Sequence, residues 1–167
     1  MAGITGAVLL LLASVLVAGA VVKKEREKLW NLCEMERALF LLQNEISFSE
    51  REIREACEGL AYAVEGGVSR LFFEISDAMK ADETLSFAAC WNQVAQDMFS
   101  PEAKAVLKSF AATFGTLSKA MEEQAVSCAG QRLKTLIPVE KERFAQNRKL
   151  AYALCLGAGL ATVILLI

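Results

Sequence analysis

The sequence predicts an all-α protein, an antiparallel helical bundle between an N-terminal and a C-terminal transmembrane helix. Apolar residues recur at spacings of three and four through the middle of the chain, which is typical of amphipathic helices. No run of alternating β-branched residues is long enough to indicate a sheet. Both ends are apolar, whereas all 18 Lys and Arg and all 20 Asp and Glu lie between Lys23 and Lys149.

Residues 1–22 form the first predicted element, a membrane helix without a charged side chain. At about 1.5 Å per residue such a helix reaches about 33 Å, enough to cross a bilayer core. The alternative is a cleaved signal peptide. That class normally begins with a basic segment, which this sequence lacks. We therefore expect a retained anchor.

Residues 150–167 form a second uncharged segment, predicted to be a membrane helix of about 27 Å. Basic residues flank both segments on the side of residues 23–149; they are Lys23, Lys24, Arg26, Lys28, Arg148 and Lys149. Because basic loops stay on the cytoplasmic side of membranes, residues 23–149 are predicted to be a cytoplasmic helical bundle.

The first bundle helix is predicted to run to about residue 47, on a stripe of Leu32, Met35, Leu39, Leu42 and Ile46. In the following "FSEREI", Ser49 is predicted to cap the second helix, with Glu52 completing a capping box and Phe48 packing on Ile53. The apolar face of that second helix is Ile53, Ala56, Cys57, Leu60 and Val64. Gly66 and Gly67 then predict a left-handed stop and a tight return.

The next three helices are predicted from similar stripes. Val68, Leu71, Phe72, Ile75 and Met79 mark the third, and Phe87, Cys90, Trp91, Val94 and Met98 mark the fourth. Ser100 and Pro101 predict the start of the fifth, since Pro at the first helical position loses no needed hydrogen bond. Its buried face is Leu107, Phe110, Phe114 and Leu117, and Gly115 is expected inside the helix, where it permits close packing or a bend.

The last helix is predicted from about Ala120, through Leu133, Leu136 and Phe144, into the second membrane segment. Pro138 should kink or interrupt it, because a mid-helix Pro removes one backbone hydrogen bond. Further along, Ala153, Gly157 and Ala161 recur every four residues. This small-residue stripe is a candidate contact for another membrane helix.

The composition excludes several kinds of chemistry. The chain has no His, which removes Ser/His/Asp catalysis and most zinc sites, and it has no glycine-rich phosphate loop. Residues 29–140 hold 10 basic and 17 acidic residues, which argues against nucleic acid as a partner. The five cysteines form no CxxC pair and are interpreted as reduced packing residues. We therefore predict no enzyme activity, catalytic residue, cofactor, metal or small-molecule substrate.

Several short segments resemble the stage III sporulation protein AB family of endospore-forming bacteria. They are Gly6-Ala7 before "VLLLLAS", "EISFSEREIREA" at 45–56, "LFF" at 71–73, "AACW" ending at Trp91, "FG" at 114–115 and the closing "AGLATVILLI". Each is weak alone, but their order and spacing together make the likeness specific, and it extends nearly from end to end.

The resemblance relates the middle domain to the cytoplasmic domain of platform proteins of type II secretion and type IV pilus machines. It implies a non-enzymatic platform subunit of a secretion-like channel complex needed for endospore formation. Such a subunit would lie in the mother-cell membrane around the forespore and link a cytoplasmic secretion-type ATPase to other membrane subunits. The acidic outer side of the second helix is the candidate ATPase-facing surface, formed by Glu50, Glu52, Glu55 and Glu58.

Three other interpretations stay open. That acidic side can also be a plain solvated face. The whole protein could instead be a membrane-anchored interaction or signalling bundle, with a hydrophobic groove for partner helices. A membrane-bound enzyme would require Asp and Glu side chains to converge inside the bundle.

Overall fold

The computed structural model describes residues 2–48, 52–95, 97–116 and 118–166, with helical side chains described except at 2–11, 47–48, 159–160 and 162–166. All regular secondary structure in these residues is helical, which confirms the all-α class. The helices are α1 (Ala2–Phe48), α2 (Ile53–Ala63), α3 (Gly66–Ala81), α4 (Phe87–Val94), α5 (Pro101–Thr113) and α6 (Lys119–Leu166).

The chain divides into two compact units. One consists of Met1–Glu27 and Val139–Ile167, and the other of Lys28–Pro138. Among the side chains that the structure describes, no helix combines the length and apolarity needed to cross a bilayer. The two membrane segments therefore stay predictions.

The unit Lys28–Pro138 is built around the predicted apolar stripes. Leu32, Met35, Leu39 and Leu42 of α1 are each no more than 2% exposed, and Ile46 packs against them half-buried. The predicted faces of α2 and α3 are likewise buried, except that Ile53 and Met79 are half-buried against the core. Because fully burying a Leu or Phe side chain stabilises a fold by about 1.5–3 kcal/mol, these stripes hold the bundle together.

The start of α2 differs from the prediction. Glu52 is itself the N-cap, in extended conformation, and its side chain makes no capping hydrogen bond. Its carboxylate instead lies 3.6 Å from the Arg54 guanidinium. The capping box is therefore wrong, because Glu52 stands before the helix instead of inside its first turn. Ser49 lies outside the described residues.

The turn between α2 and α3 uses its two glycines differently. Gly66 has a φ of +64°, which confirms the left-handed return, but α2 already ends at Ala63 and both glycines belong to α3. Gly67 lies close to two side-chain ends, since a Cβ there would lie 2.8 Å from Asn31 Oδ1 and 3.0 Å from Met98 Cε.

The fourth helix is shorter than predicted and ends at Val94, before Met98. The carbonyl of Met98 accepts a hydrogen bond from Asn31 Nδ2 of α1 at 3.3 Å. Phe99 returns to the core and stacks on Trp91 at a centroid distance of 6.4 Å. These two tertiary contacts explain why apolar residues continue in the sequence beyond the end of α4.

The start of α5 is confirmed, and its end is not. Ser100 is the N-cap, accepting a hydrogen bond from the Ala103 amide, and Pro101 opens the helix. The helix stops at Thr113, so the expectation that Gly115 lies inside it is wrong. Gly115 has a φ of +85°, and a Cβ there would lie 2.6 Å from Ile53 Cδ1. It therefore ends the helix and admits a side chain of α2.

Helix α6 continues through Pro138, so of the two predicted outcomes the interruption is wrong, and the kink stays a prediction. Pro138 has no amide N–H, so one backbone hydrogen bond of the helix is missing. The backbone hydrogen bonds on either side of it keep the helix continuous. The boundary between the two units nevertheless falls at this residue, between Pro138 and Val139.

Candidate interaction surfaces

The α2–α3 hairpin presents the outer surface to which the sequence assigned a partner. The helices are antiparallel, because the Ser69 hydroxyl donates to the Ala61 carbonyl at 2.6 Å while Lys80 Nζ lies 3.1 Å from Glu58 Oε2 at the other end. Their close packing fixes the side chains on both outer faces.

The four predicted ATPase-facing carboxylates do not form one row. Glu50 lies outside the described residues, and Glu52 is paired with Arg54 ahead of the helix. Glu55 is exposed and makes no ion pair with any described residue, whereas Glu58 is held by Lys80 of α3. The structure therefore brings Glu55 and Glu58 together on the outer side of α2, and of these two only Glu58 has an ion-pair partner among the described residues.

Sequence reasoning missed the aromatic residue on this side of α2. Tyr62 follows Glu58 by one helical turn and is 75% exposed, and its ring meets Phe73 of α3 edge to face at a centroid distance of 4.9 Å. The signal in the sequence that could have identified it is a large aromatic side chain on the side of α2 where the periodic pattern otherwise has polar residues. Such a side chain is costly to leave in water and is a common anchor at interfaces.

Glu34 of α1 is the one buried charged residue among the described positions, at 8% exposure. Its Oε2 accepts a hydrogen bond from the Glu65 amide at 2.9 Å and lies 3.8 Å from Arg37 Nη1. Glu65 is the N-cap of α3 and makes no side-chain cap of its own. Glu34 therefore caps α3 across the bundle, a structural role rather than that of a catalytic acid.

The cysteines do not behave alike. Cys57 and Cys90 are buried, Cys33 and Cys155 are half-buried, and Cys128 is exposed, so the packing interpretation is wrong for Cys128. Burial, with a smaller contribution from the neighbouring Cys90, raises the pKa of Cys57 to about 12. Burial also raises the pKa of Cys90. Both thiols stay protonated and unreactive at neutral pH.

The other polar clusters offer little chemistry. Asp82 accepts hydrogen bonds from the hydroxyl and amide of Thr84, and these lower the pKa of its carboxyl in the turn after α3. Within the described part of the chain, no three Cys, Asp or Glu side chains are grouped closely enough to hold a metal ion.

Two shallow grooves run along α6. One of about 200 Å³ separates α5 from α6, with Phe110, Ala129 and Arg132 among its lining residues. The other, of about 520 Å³, is lined by Gln43 of α1 and by polar residues of α6. Small-molecule sites are typically apolar clefts of roughly 300–1,000 Å³. The first groove is too small and the second too polar to resemble one.

The small-residue stripe and the basic residues lie at the surface. Ala153, Gly157 and Ala161 are exposed, and nothing lies within 4 Å of a Cβ built at Gly157. Of the six basic residues that flank the predicted membrane segments, Lys28 is half-buried and the others are exposed; these are Lys23, Lys24, Arg26, Arg148 and Lys149. The surfaces predicted to meet other molecules are thus accessible in this chain.

Comparison with known proteins identifies the family. A model of the family described as "Stage III sporulation protein AB" matches residues 3–167. A solved structure of a protein titled "Stage III sporulation protein AB" is similar, with a TM-score of 0.63 and 20% identity, over 71% of this chain and 97% of that one. No curated protein matches the sequence significantly.

At 20% identity the solved structure shows a shared fold only, whereas the family match spans the chain almost completely. The family is one of sporulation structural and assembly proteins and is not a known family of enzymes. The predicted resemblance is therefore confirmed: the chain belongs to the stage III sporulation protein AB family and has a role in sporulation.

Proposed function

We propose that this protein is a non-enzymatic platform subunit of the secretion-like channel complex needed for endospore formation, anchored by both chain ends in the mother-cell membrane around the forespore. The observation that carries the proposal is the family match over residues 3–167, which includes both apolar ends. The all-helical bundle supports it, since the polar residues on its surface offer room for binding partner proteins.

The cytoplasmic ATPase is the partner proposed for the outer side of α2. Glu55 supplies an exposed carboxylate there without an ion pair among the described residues, and Tyr62 supplies an exposed aromatic ring. In the membrane, the stripe of Ala153, Gly157 and Ala161 would let a helix of another membrane subunit approach closely.

Co-purification from sporulating cells tests the ATPase link. The full chain carrying Glu50→Lys, Glu52→Lys, Glu55→Lys and Glu58→Lys should lose a co-purifying secretion-type ATPase, while the exposed control Lys108→Glu should retain it. Retention of the ATPase by the fourfold variant would overturn the assignment of this surface.

Cys128 provides a probe for the location of the bundle, because it is exposed in α6. In a variant that keeps Cys128 and replaces the other four cysteines with Ala, a membrane-impermeant thiol reagent should label lysed but not intact protoplasts. Labelling of intact protoplasts would contradict the cytoplasmic placement.

A further inference from the structure

The two compact units of the chain carry opposite net charge. The unit of Met1–Glu27 and Val139–Ile167 holds seven basic and four acidic side chains, whereas Lys28–Pro138 holds the other 11 basic and 16 acidic side chains. All the charged side chains of the first unit lie within residues 23–27 and 139–149, next to the points where its two segments join the rest of the chain. We call these two stretches the basic collar.

The structure leaves most basic side chains of the collar open to a partner. Of its four carboxylates, Glu25 and Glu140 are half-buried, and Glu140 Oε1 lies 3.7 Å from Arg143 Nη1. The other two, Glu27 and Glu142, are exposed. Six basic side chains are exposed and make no ion pair with any described residue; they are Lys23, Lys24, Arg26, Lys141, Arg148 and Lys149. The exposed surface of the collar is therefore strongly positive.

Exposed apolar surface begins directly beside the collar on both helices. Leu16, Val17 and Val21 of α1 and Leu150 and Leu154 of α6 are each more than half exposed. Grouped apolar side chains in water mark a surface that a membrane or a partner protein covers. Because a basic border adjoins this apolar surface, a bilayer with anionic headgroups fits both, with acyl chains on the apolar side chains and phosphates on the basic ones.

Tyr152 lies at the border between these two surfaces. It follows Lys149 by three residues in α6 and is 39% exposed. Side chains of a helix lean toward its N-terminus, which for Tyr152 is the direction of the collar. Tyr is enriched where the acyl chains of a membrane meet the headgroups, because its ring is apolar and its hydroxyl is polar. The residue at the border is therefore of a type that a headgroup layer favours.

We infer that the basic collar binds the phosphates of anionic phospholipids, so that this protein gathers lipids such as phosphatidylglycerol around its apolar ends in preference to neutral lipids. The inference rests on the proposed membrane anchoring and adds a lipid class to it. Each Lys or Arg near an anionic membrane surface strengthens binding by about fivefold. The same lipids repel the acidic unit Lys28–Pro138, so the preference belongs to the collar.

Energy transfer from Trp30 to labelled lipids tests this preference. Trp30 follows the collar by three residues in α1, and the second of the two tryptophans, Trp91, is buried. The change Trp91→Phe leaves Trp30 as the donor and keeps an aromatic ring in the core. The full chain with this change is reconstituted in phosphatidylcholine vesicles that carry a trace of phosphatidylglycerol or of phosphatidylcholine, each with a dansyl group on an acyl chain.

The labelled phosphatidylglycerol should associate at least about threefold more strongly than the labelled phosphatidylcholine. This preference should fall as sodium chloride is raised, because salt screens exposed charges. Sodium phosphate should weaken it no more than sodium chloride does at the same ionic strength, since the ligand is a lipid headgroup and not free phosphate.

Two matched variants locate the effect. In one, four collar residues are neutralised together, and the preference should disappear; the changes are Lys23→Gln, Lys24→Gln, Arg148→Gln and Lys149→Gln. In the other, four exposed basic residues of the unit Lys28–Pro138 are neutralised, and the preference should be kept; the changes are Lys108→Gln, Lys119→Gln, Arg132→Gln and Lys134→Gln. Helical circular dichroism should be the same in both.

Three results would overturn the inference. They are equal association of the two lipids in the Trp91→Phe chain, a preference that the collar variant retains, and a stronger effect of phosphate than of chloride at equal ionic strength. Equal association would leave the proposed anchoring intact, because energy transfer to both lipids still shows the chain in the bilayer. Absence of transfer to either lipid would overturn the anchoring and the lipid preference together.

Discussion

The α2–α3 hairpin and the α5–α6 segment are both pairs of helices that follow each other in the sequence, yet contacts of very different sequence separation hold them. Around α2 and α3, Glu34 caps α3 from 31 residues away, and Asn31 packs on Gly67. Around α5 and α6, the Ser100 hydroxyl accepts from the Ala103 amide, and Glu122 accepts from the Gly115 amide seven residues earlier. Gly115 is the exception, because Ile53 packs on it.

The difference shows why the start of α5 could be predicted from residues adjacent in the sequence, whereas the cap of α3 could not. The Ser100-Pro101 start is encoded in adjacent residues, and it was predicted correctly. The start of α3 has no local cap, since its capping carboxylate comes from α1. Four predictions probe this contrast, from the largest expected effect to the smallest.

The first contrasts the buried thiol of α2 with the exposed thiol of α6. Above pH 9 the unfolded chain loses the Cys57 proton, while the folded protein keeps it up to about pH 12. Above pH 9, unfolding therefore releases a proton. The contribution of this buried thiol to the free energy of unfolding is fully present below pH 9 and is lost as the pH rises. The loss amounts to up to roughly 4 kcal/mol by pH 12.

Denaturant unfolding at pH 7 to 11 measures this slope against Cys57→Ala, whose free energy of unfolding should fall less steeply. The matched variant Cys128→Ala, which removes a thiol exposed in the folded state, is the control for replacing a cysteine. Equal slopes for wild type and Cys57→Ala would contradict the burial argument.

The second prediction tests the long-range contact on the α5–α6 side. Gly115→Ala should lower the free energy of unfolding by about 2–3 kcal/mol, because a left-handed conformation strains an L-residue and the new Cβ meets Ile53. Gly130→Ala is the matched control. Its Cβ makes an ordinary 3.9 Å contact with Leu39, and Ala favours a helix by about 1 kcal/mol, so this variant should be stabilised.

Thermal unfolding of the two glycine variants gives the answer directly. If the stability of Gly115→Ala matched that of the wild type, the contact with Ile53 would not hold the turn after α5. That turn would then depend on neighbouring residues alone, as the start of α5 does.

The third prediction tests the cap across the bundle. Glu34→Ala should lower the free energy of unfolding by about 1–2 kcal/mol, because the Glu65 amide loses its acceptor at a part-buried site. Glu34→Gln retains a carbonyl oxygen at the same place and should cost less than half as much. Similar losses in the two variants would mean that the negative charge, rather than the hydrogen bond, stabilises the start of α3.

The fourth and smallest effect belongs to the local cap. Ser100→Ala should cost about 1 kcal/mol, and Ser100→Asp should restore most of it, since Asp is an equally good N-cap. Hydrogen exchange should show faster exchange confined to the first turn of α5. Faster exchange in α3 as well would show that the α2–α3 and α5–α6 regions do not unfold independently.

The candidate surfaces show the same division between what was predicted and what was not. The shared side of Glu55 and Glu58 could be predicted from their spacing, because helical periodicity sets which residues of one helix share a side. The pairing of Glu58 with Lys80 and the contact of Tyr62 with Phe73 involve α3, and nothing in the sequence near α2 indicates them.

The sequence by itself determined the helical class, the buried stripes, the start of α5 and the family. These depend on periodicity, on neighbouring residues and on the order of short motifs along the chain. Only the tertiary structure decided where α4 ends, how α3 is capped, why Gly115 lies outside its helix and which charges remain uncompensated at the surface. Each of these depends on a side chain from a distant helix, and local free-energy preferences of about 1 kcal/mol are readily overridden by such contacts.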